Sequence, residues 1–328
     1  MSEYICSRRR FLGLMAASLP GGALFEGSGT AVAGETVQQD RTEGVKPEQL
    51  SIGIALGAGG ANGLAHISML EVLDEMGIQV ARIAGSSIGA IVGSLYAAGM
   101  SGSEIRGLVE RFVLSDQDES LSRFFEGDAL EWINFVDIEL GNGGLVSADG
   151  FLAFMSETLK KKTFEELDTP IHIVAADLWA REQIVLTSGD LMSAIKASMA
   201  IPGVFEPVRR DGRVLIDGGT CNPVPYDILT DHCDIVIGID VIGERTHPSS
   251  SIPGYFETVF NSIEVMQTAI MNEKRRHREP DVYVSVPVVD IRALEFYRAR
   301  EVFEQSLPAR DTLKQQLKKA IEHLNAGQ

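Results

Sequence analysis

The sequence is poor in the residues that build small disulfide-held or metal-held domains. Three Cys occur in 328 residues, at Cys6, Cys221 and Cys233, and they form neither a zinc-ligand spacing nor a disulfide framework. Positive charge is also short: 29 Lys and Arg against 46 Asp and Glu leave a net charge of −17. Nucleic acid, whose phosphates need a basic surface, is therefore excluded as a partner, and any contact with an anionic membrane has to be local. Beyond the N-terminal region no run reaches 18 consecutive apolar residues, so the mature protein is expected to be soluble or peripheral. What is present suffices for a full core: 45% hydrophobic residues and 33 Gly, in a length that one large domain can use.

The N-terminal region has its own pattern. Arg8, Arg9 and Arg10 are followed by Phe11-Leu12 and a weakly apolar stretch to Phe25, interrupted by Pro20 and three glycines. Ala31-Val32-Ala33 then offers a small-x-small cleavage site. Ser-Arg-Arg-x-Phe-Leu resembles the twin-arginine export signal. Residues 1–33 are thus expected to be removed, residues 34–49 to be a polar linker, residues 50–328 to form the one folded domain, and the protein to be periplasmic or extracellular. Export removes Cys6 and brings Cys221 and Cys233 into an oxidising compartment, where a pair and two free thiols both stay open.

From Leu50 onward, short apolar runs alternate with helical patterns. Strands are expected at 50–56, from Val80, at 171–178, 182–189, 213–219 (ending in a glycine turn), 233–241 and in Asp281–Pro287. Helices are expected around 64–76, after Ser87, from the Ser101-x-x-Glu104 capping box to about Leu114, at 191–198, at 256–273 and at the C-terminus. In the helix at 256–273, Val259, Ile263, Met266 and Ile270 form the apolar stripe, and residues 115–165 read as a more polar insertion. The alternation implies an α/β fold with a largely parallel sheet covered on both faces.

Three glycine-rich turns follow apolar runs, at 57–63, 85–89 and 217–219. In the second, Gly85-Ser86-Ser87-Ile88-Gly89 has the Gly-x-Ser-x-Gly form of a nucleophile elbow, with a small-residue helix behind it and Ser87 between the glycines. Ser86 is the rival position. The first, Gly57-Ala58-Gly59-Gly60-Ala61-Asn62-Gly63, lacks the Lys-Ser/Thr of a P-loop and the downstream acidic residue of a dinucleotide site. It reads instead as a row of backbone N–H donors for an oxyanion. None of His66, His172, His232, His247, His277 and His323 stands in a diagnostic setting, although His247 lies where a Ser-His-Asp hydrolase could carry its base. Asp217, before Gly218 and Gly219, ends an apolar strand and could point into a cleft; the bland alternative is a turn residue.

The order of "LGAGGANGLAHISMLEVLDEMGI", "GSSIGAIVGSLYAAG", "AADLWAREQIVLTSGDLMSAIKASMAIPGVFEPV" and "RVLIDGGTCNPVP" resembles the bacterial patatin-like phospholipase family over residues 51–241. The resemblance implies a three-layer α/β/α fold with a mostly parallel central sheet and a Ser-Asp dyad without His. Ser87 would be the nucleophile and Asp217 its base. Gly57, Gly59, Gly60 and Ala61 would form the oxyanion hole, with Gly59 and Gly60 the foremost donors; Gly85, Gly89, Asn62, Gly63, Gly218 and Gly219 would support the motifs. The implied substrate is a lipid acyl ester, with no metal and no cofactor. Thioesterase or other ester hydrolysis on the same dyad, and a catalytically weak lipid-binding homologue, are the rival readings. Asn62 departs from the basic residue that the family usually carries before the last glycine of the loop. Lys274, Arg275, Arg276 and Arg278 form the one local basic run that could meet lipid headgroups. Asp177 and the segment from Lys196 to Val208 read as scaffold.

Overall fold

The computed structural model describes residues 50–113, 149–246, 252 and 254–326. The export signal, the linker, Cys6, His247 and most of the expected insertion lie outside the described residues. In chain order the elements are β1 (Ile52–Leu56), α1 (Ala65–Glu75), β2 (Val80–Ser86), α2 (Ile88–Ala97), α3 (Gly102–Val113) and α4 (Asp149–Leu159). Then come β3 (Ile171–Asp177), β4 (Glu182–Leu186), α5 (Leu191–Ser198), β5 (Val208–Arg210) and β6 (Arg213–Asp217). The chain continues through β7 (Ile235–Asp240), α6 (Tyr255–His277), β8 (Val282–Ser285), α7 (Ala299–Gln305) and α8 (Leu307–Ala326).

Strands β3, β2, β1, β7 and β8 lie side by side and run parallel. Their side chains alternate between two faces, as the period of a strand requires. Ile52, Ile54 and Leu56 of β1, Ile83 of β2 and Ile235, Ile237 and Ile239 of β7 enter one large apolar cluster, capped by buried residues of α1, α2, α5, α7 and α8. The opposite face carries Ala55, Ala84 and Val236, covered by Val224, Tyr226, Leu229 and Met271 of α6. All six residues of β7 are buried, as expected for a strand enclosed on both faces. The fold is the expected three-layer α/β/α arrangement around a mostly parallel sheet.

Three strands depart from the parallel rule. β4 and β6 both pair antiparallel to β3, and β5 pairs antiparallel to β6. The β5–β6 hairpin was not expected. Its two-residue turn, Asp211-Gly212, has φ of 50° and 76°, the left-handed pair that a type I′ turn needs, and Asp-Gly is the dipeptide that supplies it. The capping box formed as read: the Ser101 N–H donates to Glu104 Oε2 at 2.8 Å, and the Glu104 N–H donates to Ser101 Oγ at 3.3 Å.

One correction concerns α6. Of the apolar stripe, Val259, Ile263 and Ile270 are half-buried, but Met266 is 55% exposed, whereas Gln267 and Met271 are 6% and 3% exposed. The inward face takes in Phe260, Glu264, Gln267 and Met271 beside Ile263 of the stripe. The reason is that this face of the helix borders a polar cleft, so hydrophobicity alone does not mark it.

Gly89 and Gly107 have opposite surroundings. A Cβ on Gly89 would stand 2.0 Å from the Leu56 carbonyl oxygen, whereas one on Gly107, in α3, meets nothing within 4 Å. Gly89→Ala is therefore expected to destabilise by roughly 1–3 kcal/mol through overpacking. Gly107→Ala should stabilise by about 0.5–1 kcal/mol through helix propensity. Urea midpoints of the two variants check the opposed signs.

Candidate active site

The register of β3 brings two strand ends together. On one edge, β3 pairs with β2 up to Ser86↔Val174, and then with β6 from Ala175↔Asp217 onward. β4 occupies the other edge, pairing with β3 from Ile173 to Asp177. β2 and β6 run toward each other along the same edge, and they stop on adjacent residues of β3. The turn after β2 starts with Ser87, and β6 ends with Asp217.

Ser87 adopts φ 54° and ψ −123°, outside the allowed regions for an ordinary side-chain-bearing residue, at the N-terminus of α2. This is the strained strand–turn–helix geometry of a nucleophile elbow. Its N–H donates to Ser198 Oγ at 2.9 Å, and its own hydroxyl donates to Asp217 Oδ2 at 2.7 Å. Ser86 is turned elsewhere: its hydroxyl donates to the Asn222 carbonyl at 2.6 Å. Asp217 is anchored at both ends. Its Oδ1 accepts from the Gly219 N–H at 2.7 Å, and its own N–H donates to the Ala200 carbonyl at 2.9 Å. Asp217 is 4% exposed. Burial pushes its carboxyl up to about 6, against the opposing pull of the hydrogen bonds from Ser87 and Gly219.

The Gly57–Gly63 loop divides into amides that are engaged and amides that are not. The Gly57 N–H donates to the Ile239 carbonyl, the Ala58 N–H to Pro223 and the Ala61 N–H to Ala293, at 3.1, 2.8 and 2.8 Å. Gly57 and Ala61, both expected as oxyanion donors, are corrected on this ground: their protons are committed to the protein. Gly59 and Gly60 line the cleft beside Ser87, and among the described residues no hydrogen bond leaves either amide. Asn62 holds the loop from behind, donating from Nδ2 to the Ile242 carbonyl at 3.1 Å, while its buried Oδ1 has no partner among the described residues.

The cleft is bounded by Ala58, Gly59 and Gly60 on one side and by Ile201, Pro202, Thr220 and the α6 residues Phe260, Ile263, Glu264 and Gln267 on the others. Water centres reach only about 40 Å³ of it, room for about three waters. No His lines it among the described residues. His66 lies underneath, fully buried, where its Nε2–H donates to the Gly57 carbonyl at 2.8 Å; burial lowers its pKa to about 4, so the ring is neutral. Asp177 is a turn residue, its Oδ1 accepting from the Trp179 and Ala180 N–H groups and its Oδ2 from Arg213. Among the described residues no cluster of His, Cys, Asp and Glu could hold a metal.

Cys221 and Cys233 are free thiols in separate settings: Cys221 lies against the Gly218 and Ala175 carbonyls, and Cys233 beside Gly53. The basic run is locally neutralised. Lys274 is drawn inward to Asp227, Asn222 and the Val224 carbonyl, and Arg275, Arg276 and Arg278 pair with Glu279, Glu273 and Asp231. Ser198 was missed by the sequence reading, which took its segment as scaffold. The segment does hold the structure, but what it holds is the backbone of Ser87 and of Asp217.

The profile of the patatin-like phospholipase family matches residues 54–230, more than half of the 328. The chain belongs to the patatin-like phospholipase family. An uncharacterized NTE family protein of Mycobacterium bovis is 34% identical over 202 residues, covering 60% of this chain and 51% of that protein. The neuropathy target esterase sws of Drosophila melanogaster is 30% identical over 182 residues, covering 55% of this chain and 12% of that one. Among solved structures, VipD of Legionella pneumophila superposes with a TM-score of 0.41 at 14% identity, over 81% of this chain and 67% of that one. The chain spans about half the length of the mycobacterial relative. Membership in the patatin-like phospholipase family supports lipid hydrolysis as the general chemistry.

Because the folded-state value of Asp217 lies above its unfolded value, the fold loses stability as pH rises from about 4 to about 6, where the unfolded carboxyl ionises first. Asp217→Asn removes this cost, at most about 3 kcal/mol. Its Tm should exceed that of the parent by several degrees at about pH 8 and converge with it near pH 4, as thermal melts across that range will record.

Proposed function

We propose that this chain is a lipid acyl hydrolase of the phospholipase A or lysophospholipase type, with Ser87 as nucleophile and Asp217 as its base. The observation that carries the reading is the 2.7 Å hydrogen bond from the Ser87 hydroxyl to Asp217 inside a narrow cleft. As Ser87 Oγ attacks the ester carbonyl carbon, Asp217 Oδ2 takes the hydroxyl proton. The carbonyl oxygen becomes an oxyanion that accepts hydrogen bonds from the Gly59 and Gly60 N–H groups, and the start of α2 eases the negative charge beside it. Collapse of the tetrahedral adduct breaks the bond to the alcohol, whose oxygen leaves with the proton held on Asp217. Water then attacks the acyl-enzyme with Asp217 again as base, releasing the fatty acid and restoring Ser87.

An ordinary carboxylate is too weak a base for this role, and burial is what corrects it. With a value near 6, Asp217 remains ionised at neutral pH and binds a proton roughly a hundredfold more tightly than an unperturbed Asp. The twin-arginine pattern at residues 7–12 supports action outside the cytoplasm. The binding-protein reading keeps one specific support, the absence of a basic side chain at Asn62.

The test is fatty-acid release from a phospholipid and from simple acyl esters, with a fluorophosphonate probe for the nucleophile. Ser87→Ala and Asp217→Asn should each lower kcat by about 10⁴ or more, and Ser87→Ala should abolish labelling. The parent's kcat/KM should fall tenfold per pH unit below about 6, as protonation removes the base. A parent that neither labels nor turns over an ester would reject the hydrolase and favour the lipid-binding homologue.

A further inference from the structure

Gln267 lies on the inward face of α6 at a position that packing alone would give to an apolar residue. It is 6% exposed, and Met271, one turn along the same face, is 3% exposed. Yet among the described residues no hydrogen bond reaches its amide, which borders the cleft that also holds Ser87 and Asp217. The amide is not one of the buried polar atoms left without a partner, so it opens into the cleft, where it can bond what enters. Its position narrows what that is. A Cβ on Gly219 would lie 2.6 Å from Ala58 Cβ, 2.7 Å from Gln267 Nε2 and 3.0 Å from Asp217 Oδ1, so the amide, the base and the start of the glycine loop meet at the same bare Cα.

We infer that Gln267 is a substrate-contacting specificity residue, which hydrogen-bonds an oxygen on the alcohol half of the ester, next to the oxygen being released. This rests on the hydrolase reading above. Asp217 is the group that carries the Ser87 proton, so the departing alcohol oxygen has to come within reach of Asp217. The amide stands beside that base, so the alcohol half comes within its reach, while the carbonyl oxygen goes to the Gly59 and Gly60 amides. The amide can donate from Nε2 to an ether, ester or hydroxyl oxygen and accept at Oε1 from a hydroxyl. The substrate class it fits is the acyl ester of glycerol or of a glycerol-based headgroup, in which the carbon beside the scissile oxygen bears another oxygen-substituted carbon. A plain alkyl ester leaves the amide unpaired in the transition state.

The matched probes are monooctanoylglycerol and propyl octanoate, which share the acyl chain and the three-carbon alcohol skeleton and differ in two hydroxyls. The parent should prefer the glyceryl ester in kcat/KM, and Gln267→Met should cut that preference by about tenfold, the worth of one hydrogen bond. Met fills a similar volume and forfeits no internal hydrogen bond, so the variant's Tm should not fall, which a purely structural role would require. An unchanged preference, a parallel loss on both esters with a lowered Tm, or a parent that labels at Ser87 and favours propyl octanoate or cleaves neither overturns the inference alone. A parent that neither labels nor cleaves any ester overturns the hydrolase reading and this inference with it.

Discussion

The bond between Ser87 and Asp217 depends on where two strands stop. β2 and β6 approach each other head to head along one edge of β3 and end on neighbouring residues, Val174 and Ala175. Strand rise is about 3.3 Å per residue, so a slip of one residue in either pairing would part the two side chains by more than a hydrogen bond can span. The antiparallel hairpin that feeds β6, the two-residue Asp211-Gly212 turn and the buried Leu215 beside Val208 are the local features that fix this register. The corner from Ser198 to Ala200 secures it from a second direction, since it takes one hydrogen bond from Ser87 and one from Asp217.

The same enclosure that makes Asp217 basic makes it costly to the fold. A carboxylate with both oxygens hydrogen-bonded would normally sit below its usual range, yet here desolvation outweighs the two bonds. Strain adds to the cost at Ser87, whose φ of 54° and ψ of −123° are held in place by the hydrogen bond from its N–H to Ser198 Oγ. Ser87 and Asp217 are thus the two places where this otherwise regular sheet departs from what stability alone would choose.

Much of this was legible in the sequence, and for physical reasons. β1, β2, β7 and the helices after them announce themselves because both faces of the sheet are buried, and apolar runs bounded by glycine turns have few other readings. Ser87 and Asp217 were legible because elbow and strand-end turn leave residue-type signatures on a short stretch of chain. The division of the oxyanion loop was not: whether Gly57 or Gly59 has a free N–H depends on the Ile239, Pro223 and Ala293 carbonyls, which are far away in sequence. The polar residues on the inward face of α6 went unread for a related reason, because Glu264 and Gln267 face a cleft that no local pattern reveals. Ser198 was hidden by ordinariness, a small polar residue at a helix end with nothing beside it to mark its partner.

Gly89 carries a consequence for how this site tolerates sequence drift. The backbone of α2 rests directly on the carbonyls of Leu56 and Gly57, with no side chain between. The spacing between Ser87 and the oxyanion loop is therefore set by main chain against main chain, in the way a machined joint is set by its faces and not by a gasket. Side chains across the surrounding core can exchange for others of similar volume without moving the reactive groups relative to each other. The information that fixes the reaction geometry is concentrated in a residue with no side chain to vary.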